Sequence, residues 1–490
     1  MSRKKLVLAV IDAMKPAMLE RAIATGRAPA MKLLAERGHL VDDCVAAFPS
    51  VTPVCAASIA TGVGPDRHHI PSMNWYRREE ERYVEYGTSF KASQAFGFKR
   101  SLTDTIYNMN AEHLSRDVET VFESLDDAEV RTAGTTYLMY RGRHEHEVAN
   151  ETALTRLAAT VFKRSVHGPR EFFYADIFAS RKTPCRSQLG LPGVRDQHSG
   201  CVGAYLVEQD LFDFLLLSLP DNDTHSHKLG PFAQVSSLSA ADRQIERLMH
   251  AAGGPEAFLE DHAVIVVSDH SQSQVEQEID LFAGFEGWQV MPAGGGDEEA
   301  GIALCPASRS AQVYVLDRDR RRELVPRIVQ TALALEGVDL AIARTDHPDG
   351  EAMVRSDAGE LRFAPGGNLE DAHGERWSVD GDHAVLALDT TDGRVRSTAY
   401  PDALGRLWSA LRCPGAGEVL LSAGPGYEFL DWGRTAHVGG GSHGSLHATD
   451  SHGSLLWCGT GPDAPAPDRQ WTLRDVVPMV REHFGLTPAV

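Results

Sequence analysis

The chain has 490 residues, of which 42% are hydrophobic and 24% are charged, so it can bury a large core. Its 68 acidic residues outnumber its 48 basic residues and give a formal charge of -20. This charge argues against nonspecific binding to duplex nucleic acid or to an anionic membrane, because both require a basic surface.

The cysteines and the first apolar run predict where the protein resides. The seven cysteines are odd in number and widely spaced, so we expect no disulfide framework and a reducing compartment. Residues 6–11 are too short for the apolar core of a secretory signal, and no run approaches the roughly 20 residues of a membrane span. We therefore expect a cytoplasmic protein with no membrane attachment, whose oligomeric state stays open.

Three continuous apolar runs predict the centre of the fold. Residues 6–11, 214–219 and 263–267 do not alternate in polarity, which is typical of strands buried on both faces of a parallel sheet. Each run ends in Asp or shortly before one. An amphipathic helix predicted over 241–252 stops at a Gly-Gly-Pro sequence. The alternation predicts an α/β three-layer sandwich around a mostly parallel sheet.

Two long intervals exceed a minimal version of this fold. Residues 76–205 are mixed in character, and residues 284–436 contain glycine-rich loops and a strand, helix and strand pattern. We interpret both as insertions, the first with cap elements, within one catalytic domain that spans residues 1–490.

Side chains that bind divalent metals stand at the ends of apolar runs or in glycine-rich turns. A structural zinc site gathers its ligands in one small loop-rich unit, whereas a catalytic two-metal site collects them from the ends of several strands. The scatter of the candidates over more than four hundred positions therefore predicts a catalytic site. The candidates are Asp12, Thr52, Asp223, His227, Asp269, His270 and His443.

Thr52 starts a segment that predicts a helix, with Thr52 as the N-cap, Pro53 in the first helical position and Gly62 at the end. Two interpretations of its hydroxyl remain open at this point. It either caps the helix or acts as a nucleophile at the positive helix end.

The Asp-x-x-x-His spacing occurs twice after the second apolar run, as Asp221/His225 and as Asp223/His227. The spacing alone does not choose between the two pairs. The glycine-rich turn that begins at residue 439 contains three histidines, of which we expect at least one to reach the site.

Together these motifs resemble the alkaline phosphatase superfamily, and within it the type I phosphodiesterase/nucleotide pyrophosphatase branch. The chain is also similar to phosphonoacetate hydrolase and to Thr-dependent phosphate monoesterases. The matching segments, in order, are Leu6 to Asp12, Phe48 to Thr52, His69 to Tyr76, Asp223 to Pro231, Ser268 to His270, and His443-Gly444. Ser271 departs from the family, which usually has Gly after Asp-His.

The resemblance implies a site with two divalent metal ions, Zn²⁺ or alternatively Mn²⁺. It assigns Thr52 as the catalytic nucleophile and Asn74 as a catalytic residue that binds a phosphoryl oxygen of the substrate. One ion would be held by Asp223, His227 and His443, and the other by Asp12, Asp269, His270 and the Thr52 oxygen. The alignment with the family motif also favours Asp223/His227 over Asp221/His225.

The resemblance implies a phosphodiesterase or nucleotide pyrophosphatase acting on a small-molecule phosphate ester. A phosphate monoesterase and a phosphonoacetate hydrolase are the alternatives, and a non-enzymatic metal-binding protein of the same fold is the alternative of a different class. A monoester would need cationic side chains for its extra charge. Arg141 and Arg143, which follow a predicted strand, are the candidates, with a solvated basic turn as the other interpretation.

Overall fold

A computed structural model describes residues 3–148, 164–188, 190–345, 350–466 and 469–487. Within these ranges the strands are β1 Lys5–Ile11, β2 His39–Val45, β3 Asn74–Arg77, β4 Arg82–Glu85, β5 Thr132–Thr135, β6 His144–His146, β7 Val166–Gly168, β8 Glu171–Tyr174, β9 Phe178–Ala179, β10 Phe214–Leu219, β11 His262–Val267, β12 Ser273–Ile279, β13 Ile302–Ala307, β14 Ser310–Val315, β15 Val338–Arg344, β16 Ala352–Ser356, β17 Gly359–Glu370, β18 Arg376–Gly381, β19 Asp389–Thr391, β20 Arg394–Arg396, β21 Val419–Ala423, β22 Gly426–Phe429, β23 Gly441–Ser442 and β24 His452–Cys458.

The same ranges contain α-helices on both sides of the sheets. They are Pro16–Ala24, Pro29–Arg37, Thr52–Thr61, Pro65–His68, Phe90–Ala95, Phe98–Thr103, Val121–Asp126, Arg195–Glu208, Asp221–Leu229, Val235–Ala251, Pro255–Asp261, Leu281–Gly284, Arg321–Leu333, Ala403–Arg412, Ala448–Ser451 and Val476–His483. A π-helix covers Asp104–His113, and short 3₁₀ turns cover Arg78–Glu80, Pro231–Ala233, Arg318–Arg320, His383–Leu386 and Leu473–Asp475.

The central sheet has eight strands in the order β2-β24-β11-β1-β10-β5-β8-β9. Its five inner strands, from β11 to β8, are parallel, and the strands at both edges are antiparallel. The three predicted apolar runs are the neighbours β11, β1 and β10. This architecture confirms the predicted fold class.

Strand β1 separates two cores, which explains why its apolar run does not alternate. Leu8 belongs to the core that includes buried residues of the helix Thr52–Thr61, whereas Val7 belongs to the core with the helix Val235–Ala251. Each fully buried side chain of this kind contributes roughly 1.5–3 kcal/mol. The sheet is thereby covered on both faces, as in a three-layer sandwich.

The two long intervals differ in how they join this core. Residues 284–436 contain a nine-stranded sheet, β13 to β21, with a core of its own. In contrast, strands β5, β8 and β9 of residues 76–205 extend the central sheet. That interval is therefore partly core, and our description of one domain over residues 1–490 with two insertions stays a proposal. Residues 149–163 and 189 of the first interval and 346–349 of the second lie outside the described residues.

Cys185 and Cys201 form a disulfide with their Cα atoms 5.7 Å apart, whereas the other five cysteines are free and buried. We expected no disulfide framework, and this single disulfide was not predicted. The disulfide depends on tertiary structure, because the segment that contains Cys185 folds back onto the helix Arg195–Glu208. The separation of 16 residues in sequence does not reveal this contact. No helix within the described ranges is long and apolar enough to cross a membrane.

A buried ion pair connects the second sheet to the loop that follows β23. Arg309, in the β13–β14 turn, is fully buried and donates to an Asp450 carboxylate oxygen at 3.3 Å and to the Gly424 carbonyl at 2.8 Å. Its main-chain N–H also donates to the His443 carbonyl at 2.8 Å. The Asp450 carboxylate accepts the N–H of Ser445 as well. Arg309 therefore holds both ends of the loop.

Replacement of Arg309 by Met is expected to lower the free energy of unfolding by about 3–5 kcal/mol, because Asp450 stays buried without its cation. The measurement is the urea midpoint of metal-free protein, so that metal binding does not contribute. Arg318→Met, at an exposed position, is the control. Equal midpoints for the two variants would contradict the structural role of the ion pair.

Candidate active site

Acidic residues and histidines meet at the carboxyl ends of three neighbouring strands. Asp12 follows β1, and Asp269 and His270 follow β11 two residues after its end. Asp223 and His227 lie on the helix Asp221–Leu229, which begins directly after β10. Because β10, β1 and β11 are parallel neighbours, their ends bring these side chains together.

Thr52 joins this cluster from the start of the helix Thr52–Thr61. The N-cap is Val51, with extended backbone (φ -115°, ψ 146°), and no side chain caps the helix. The prediction that Thr52 is the N-cap was wrong, because the helix begins at Thr52 itself. Its hydroxyl oxygen instead lies 3.2 Å from His270 Nε2. The hydroxyl is thus free of a capping role at a positive helix end.

Asp223 lies at the centre of the cluster. One carboxylate oxygen of Asp223 is 3.3 Å from His227 Nε2 and 3.6 Å from His443 Nε2. His270 Nε2 lies 3.6 Å from an Asp12 carboxylate oxygen. In each of two groups of three residues, the potential ligand atoms lie within 4.8 Å of one another. One group is Asp223, His227 and His443, and the other is Asp12, Asp223 and His270.

Each of the three imidazoles is bound through Nδ1 to a main-chain carbonyl, which leaves Nε2 directed at the cluster. Such bonds fix the ring orientation of metal-binding histidines. The pairs are His227 with Gly441 at 2.8 Å, His443 with Ser50 at 2.8 Å, and His270 with Ser271 at 3.1 Å.

Burial shifts the pKa values of the cluster in opposite directions. It raises the pKa of Asp269 to about 7 and that of Asp12 well above its usual range, and it lowers the pKa of His443 to about 3. Burial also opposes ionisation of Asp223, yet its pKa is lowered because His227 lies beside it. For Asp12 and Asp269, neighbouring positive charge thus does not offset the effect of burial.

The donor set fits divalent metal ions. It combines hard carboxylate oxygens with imidazole nitrogens, the mixture that zinc accepts. One oxygen of Asp12 is buried without a hydrogen-bond partner among the described residues. A cation at the cluster would satisfy that oxygen and offset the crowded carboxylates.

The geometry matches the expected first ligand set and differs in part from the second. Asp269 is absent from the second set of three, and one of its oxygens accepts the N–H groups of Ala13 and His270. Its other oxygen is 3.5 Å from His270 Nε2. Asp269 therefore adjoins the second set, and its assignment as a ligand stays a prediction.

The alternative pair Asp221 and His225 lies outside the cluster. Asp221 accepts hydrogen bonds from Arg195 and from the N–H groups of Gly193 and Asp196. The His225 ring contacts the Ala233 carbonyl at 3.2 Å. The structure thus brings Asp223 and His227 together with the other candidates, and not this pair.

Asn74 is buried at the start of β3, where its amide donates to the Val84 carbonyl at 3.1 Å. Its carbonyl oxygen has no partner among the described residues. The structure shows no hydrogen bond between Asn74 and Thr52, so its role in binding a phosphoryl oxygen stays a prediction.

Arg141 and Arg143 are not brought to the cluster. Arg141 donates to Glu123 and to three main-chain carbonyls, and Arg143 pairs with Glu119, Glu123 and Asp127. Acidic residues of the neighbouring helix Val121–Asp126 and its flanks neutralise both guanidinium groups. These contacts do not support their assignment to substrate binding, which stays a prediction.

Three further residues border the cluster and were missed from the sequence. Gln272 Nε2 donates to Asp223 at 2.5 Å. The His437 ring lies 4.0 Å from the His227 ring, centroid to centroid, and Glu428 fixes its Nδ1 at 2.9 Å. The position of Gln272 two residues after His270 offered one signal. Glu428 and His437 offered none, because their approach depends on the pairing of β22 and β23 with β12.

Residues 6–445 match the type I phosphodiesterase / nucleotide pyrophosphatase family. The chain belongs to this family, in the nucleotide pyrophosphatase/phosphodiesterase branch of the alkaline phosphatase superfamily, and the family match supports a phosphoester hydrolase. No curated protein sequence matches the chain.

Solved structures share its fold. Phosphonoacetate hydrolase from Sinorhizobium meliloti 1021, in complex with phosphonoformate, has a TM-score of 0.56 at 17% identity and covers 97% of this chain and 94% of its own. Murine ectonucleotide pyrophosphatase/phosphodiesterase 5 has a TM-score of 0.58 at 12% identity, with coverage of 99% and 96%. An inactive variant of the murine protein was solved with AMP. At these identities the likeness shows the fold alone.

The two Asp-x-x-x-His pairs can be separated by mutation. His227→Ala should remove about one equivalent of bound zinc per chain, because His227 Nε2 faces Asp223 and His443. His225→Ala is the matched control, and it should leave the zinc content unchanged. The measurement is elemental analysis after equilibration with zinc and gel filtration. A greater loss of zinc from His225→Ala would reverse the assignment.

Proposed function

We propose that the protein is a metal-dependent phosphodiesterase whose nucleophile is Thr52. The observation that carries this proposal is the position of the Thr52 hydroxyl, 3.2 Å from His270 Nε2 and without a capping bond. A hydroxyl at a positive helix end, beside a cluster of metal ligands, suits attack on phosphorus.

The charge around the cluster supports a diester as substrate. Among the described residues, no Arg or Lys side chain forms a hydrogen bond or ion pair with the seven metal-ligand candidates, and Arg309 contacts His443 only through its main-chain N–H. Arg195, on the adjacent helix, is held by Asp221, Thr224 and the Pro220 carbonyl. A monoester or a phosphonoacetate carries an additional negative charge, which a protein ordinarily meets with such cations. A diester requires less compensation.

The residues present would hold two divalent ions. We assign Asp223, His227 and His443 to one, and Asp12, Asp269, His270 and the Thr52 oxygen to the other, with zinc as the proposed metal. When bound, the ions supply Lewis acidity and positive charge for phosphoryl oxygens.

We propose that hydrolysis proceeds by two successive displacements at phosphorus, the first by Thr52 and the second by water. Thr52 Oγ1 loses its proton to solvent and forms a bond to phosphorus, while the bond from phosphorus to the leaving alcohol breaks. The alcohol takes a proton from solvent. Water then attacks the phosphothreonine ester, which restores the Thr52 hydroxyl and releases a phosphate monoester. Asn74 is proposed to donate to a phosphoryl oxygen during both steps.

Replacement of Thr52 by Ala should lower the rate of nitrophenyl diester hydrolysis by several powers of ten while leaving the fold and zinc content intact. Thr52→Ser should keep part of the activity, because its hydroxyl can still reach the cluster. Circular dichroism and elemental analysis serve as the controls for folding and metal loading. Activity of Thr52→Ala within tenfold of wild type would show that water attacks directly.

A further inference from the structure

Gln272 places a buried amide against the metal-ligand cluster. It lies between β11 and β12, and the residue is fully buried. Its Nε2 atom donates to Oδ1 of Asp223 at 2.5 Å. Its carbonyl oxygen, Oε1, is buried without a hydrogen-bond partner among the described residues. A buried oxygen without a partner is unfavourable, and an apolar side chain would avoid that cost. The presence of an amide at this position is therefore explained by its donor.

The surroundings of Gln272 hold this amide in place. The opposite amide orientation would bring Oε1 against the Asp223 carboxylate, where two acceptors repel each other. On the other side lies Gly441, where an added Cβ would be 2.4 Å from Oε1. The main-chain carbonyl of Gln272 accepts a hydrogen bond from Lys15 Nζ at 3.1 Å. The donor is thus oriented before a metal binds, which lowers the entropic cost of binding.

The oxygen that Gln272 binds is also the one that faces two imidazoles. Oδ1 of Asp223 lies 3.3 Å from His227 Nε2 and 3.6 Å from His443 Nε2. Ligand atoms that bind one tetrahedral zinc ion at about 2.0–2.2 Å are about 3.3–3.6 Å apart. These two distances therefore fit three ligands of one ion. We call Asp223, His227 and His443 the first set, and Gln272 donates to its carboxylate member.

Gln272 is the donor that would remain after the histidines bind a metal. An imidazole that binds an ion through Nε2 has no proton there to donate to Asp223. Within the described ranges, the side chains in hydrogen-bond or ion-pair contact with the Asp223 carboxylate are His227, His443 and Gln272. The amide carries no net charge, so it does not repel a divalent ion as a lysine would.

We propose that Gln272 is a positioning residue that directs Oδ1 of Asp223 at the ion held by the first set. The inference rests on the proposed metal-dependent function, and it specifies which of the two ions the amide supports. Rotation of a carboxylate about its last side-chain bond has broad minima, so a donor is needed to fix one oxygen. Hydrogen bonds of this kind orient metal ligands and contribute to metal affinity.

Zinc titration of the purified protein against a chelating dye tests this inference. Gln272→Leu should raise the dissociation constant of one of the two zinc ions by about ten- to hundredfold, because the ligating oxygen loses its donor. Gln274→Leu is the matched control. Gln274 lies two residues further along, in β12, and its replacement should leave both dissociation constants unchanged. Circular dichroism of the metal-free variants checks that they fold.

The His227→Ala background shows whether the effect is confined to the first set. That substitution is expected to remove the first ion, so the addition of Gln272→Leu should leave the affinity for the remaining zinc unchanged. A further loss of about tenfold or more in this background would show that the amide supports the whole site. The assignment of Gln272 to the first set would then be wrong.

The remaining outcomes separate this inference from the proposed function. Unchanged constants for Gln272→Leu, or equal losses from Gln272→Leu and Gln274→Leu, overturn the inference. If Gln272→Leu does not fold, Gln272→Met, which has a similar length, takes its place with the same expected loss. The titration requires no substrate. A wild-type protein that binds two zinc ions but hydrolyses no diester would therefore contradict the proposed function, while the loss from Gln272→Leu would still support its positioning role.

Discussion

The structure depends on the burial of three carboxylates in one small space. Asp12, Asp223 and Asp269 stand at or near the ends of adjacent parallel strands, and the first and last have raised pKa values because burial disfavours their charge. The positions of these carboxylates are constrained, because parallel strands place their carboxyl ends at the same edge of the sheet. Imidazoles surround these carboxylates, and within the described ranges no Arg or Lys side chain forms a hydrogen bond or ion pair with them. Bound divalent cations would offset the charge of these carboxylates, and the same cations would act on a phosphate ester.

The rest of the fold holds distant segments against this cluster. The Ser50 hydroxyl accepts the Gly444 N–H and donates to the Ser445 carbonyl, so the segment before Thr52 is fastened to the segment around His443. The second sheet fastens the same loop from the other side through Arg309. Both connections act on main-chain and buried groups, whose positions are more rigid than those of exposed loops. The addition of the second sheet thus contributes to the geometry of the site.

Part of this arrangement could be predicted from the sequence. The difference between the residues that were predicted and those that were not has a physical cause. Asp12 and Asp223 were found because continuous apolar runs mark buried strands and ligands follow strand ends. The partner of Arg141 was not predicted: a guanidinium is less available to a substrate when a carboxylate of the fold pairs with it, and the fold supplies Glu123. The disulfide of Cys185 and the position of His437 beside the cluster were not predicted for a similar reason. Their partners are set by how loops return to the core, for which local sequence carries little information.

The central claim is that the cluster holds two ions, with Asp223 close to both. Anomalous diffraction at the zinc absorption edge, from crystals of the wild-type protein grown with zinc, tests it most directly. The account predicts two peaks per chain about 4 Å apart. The first should lie against His227 and His443, and the second against Asp12 and His270. A single peak, or peaks remote from Asp223, would contradict the account.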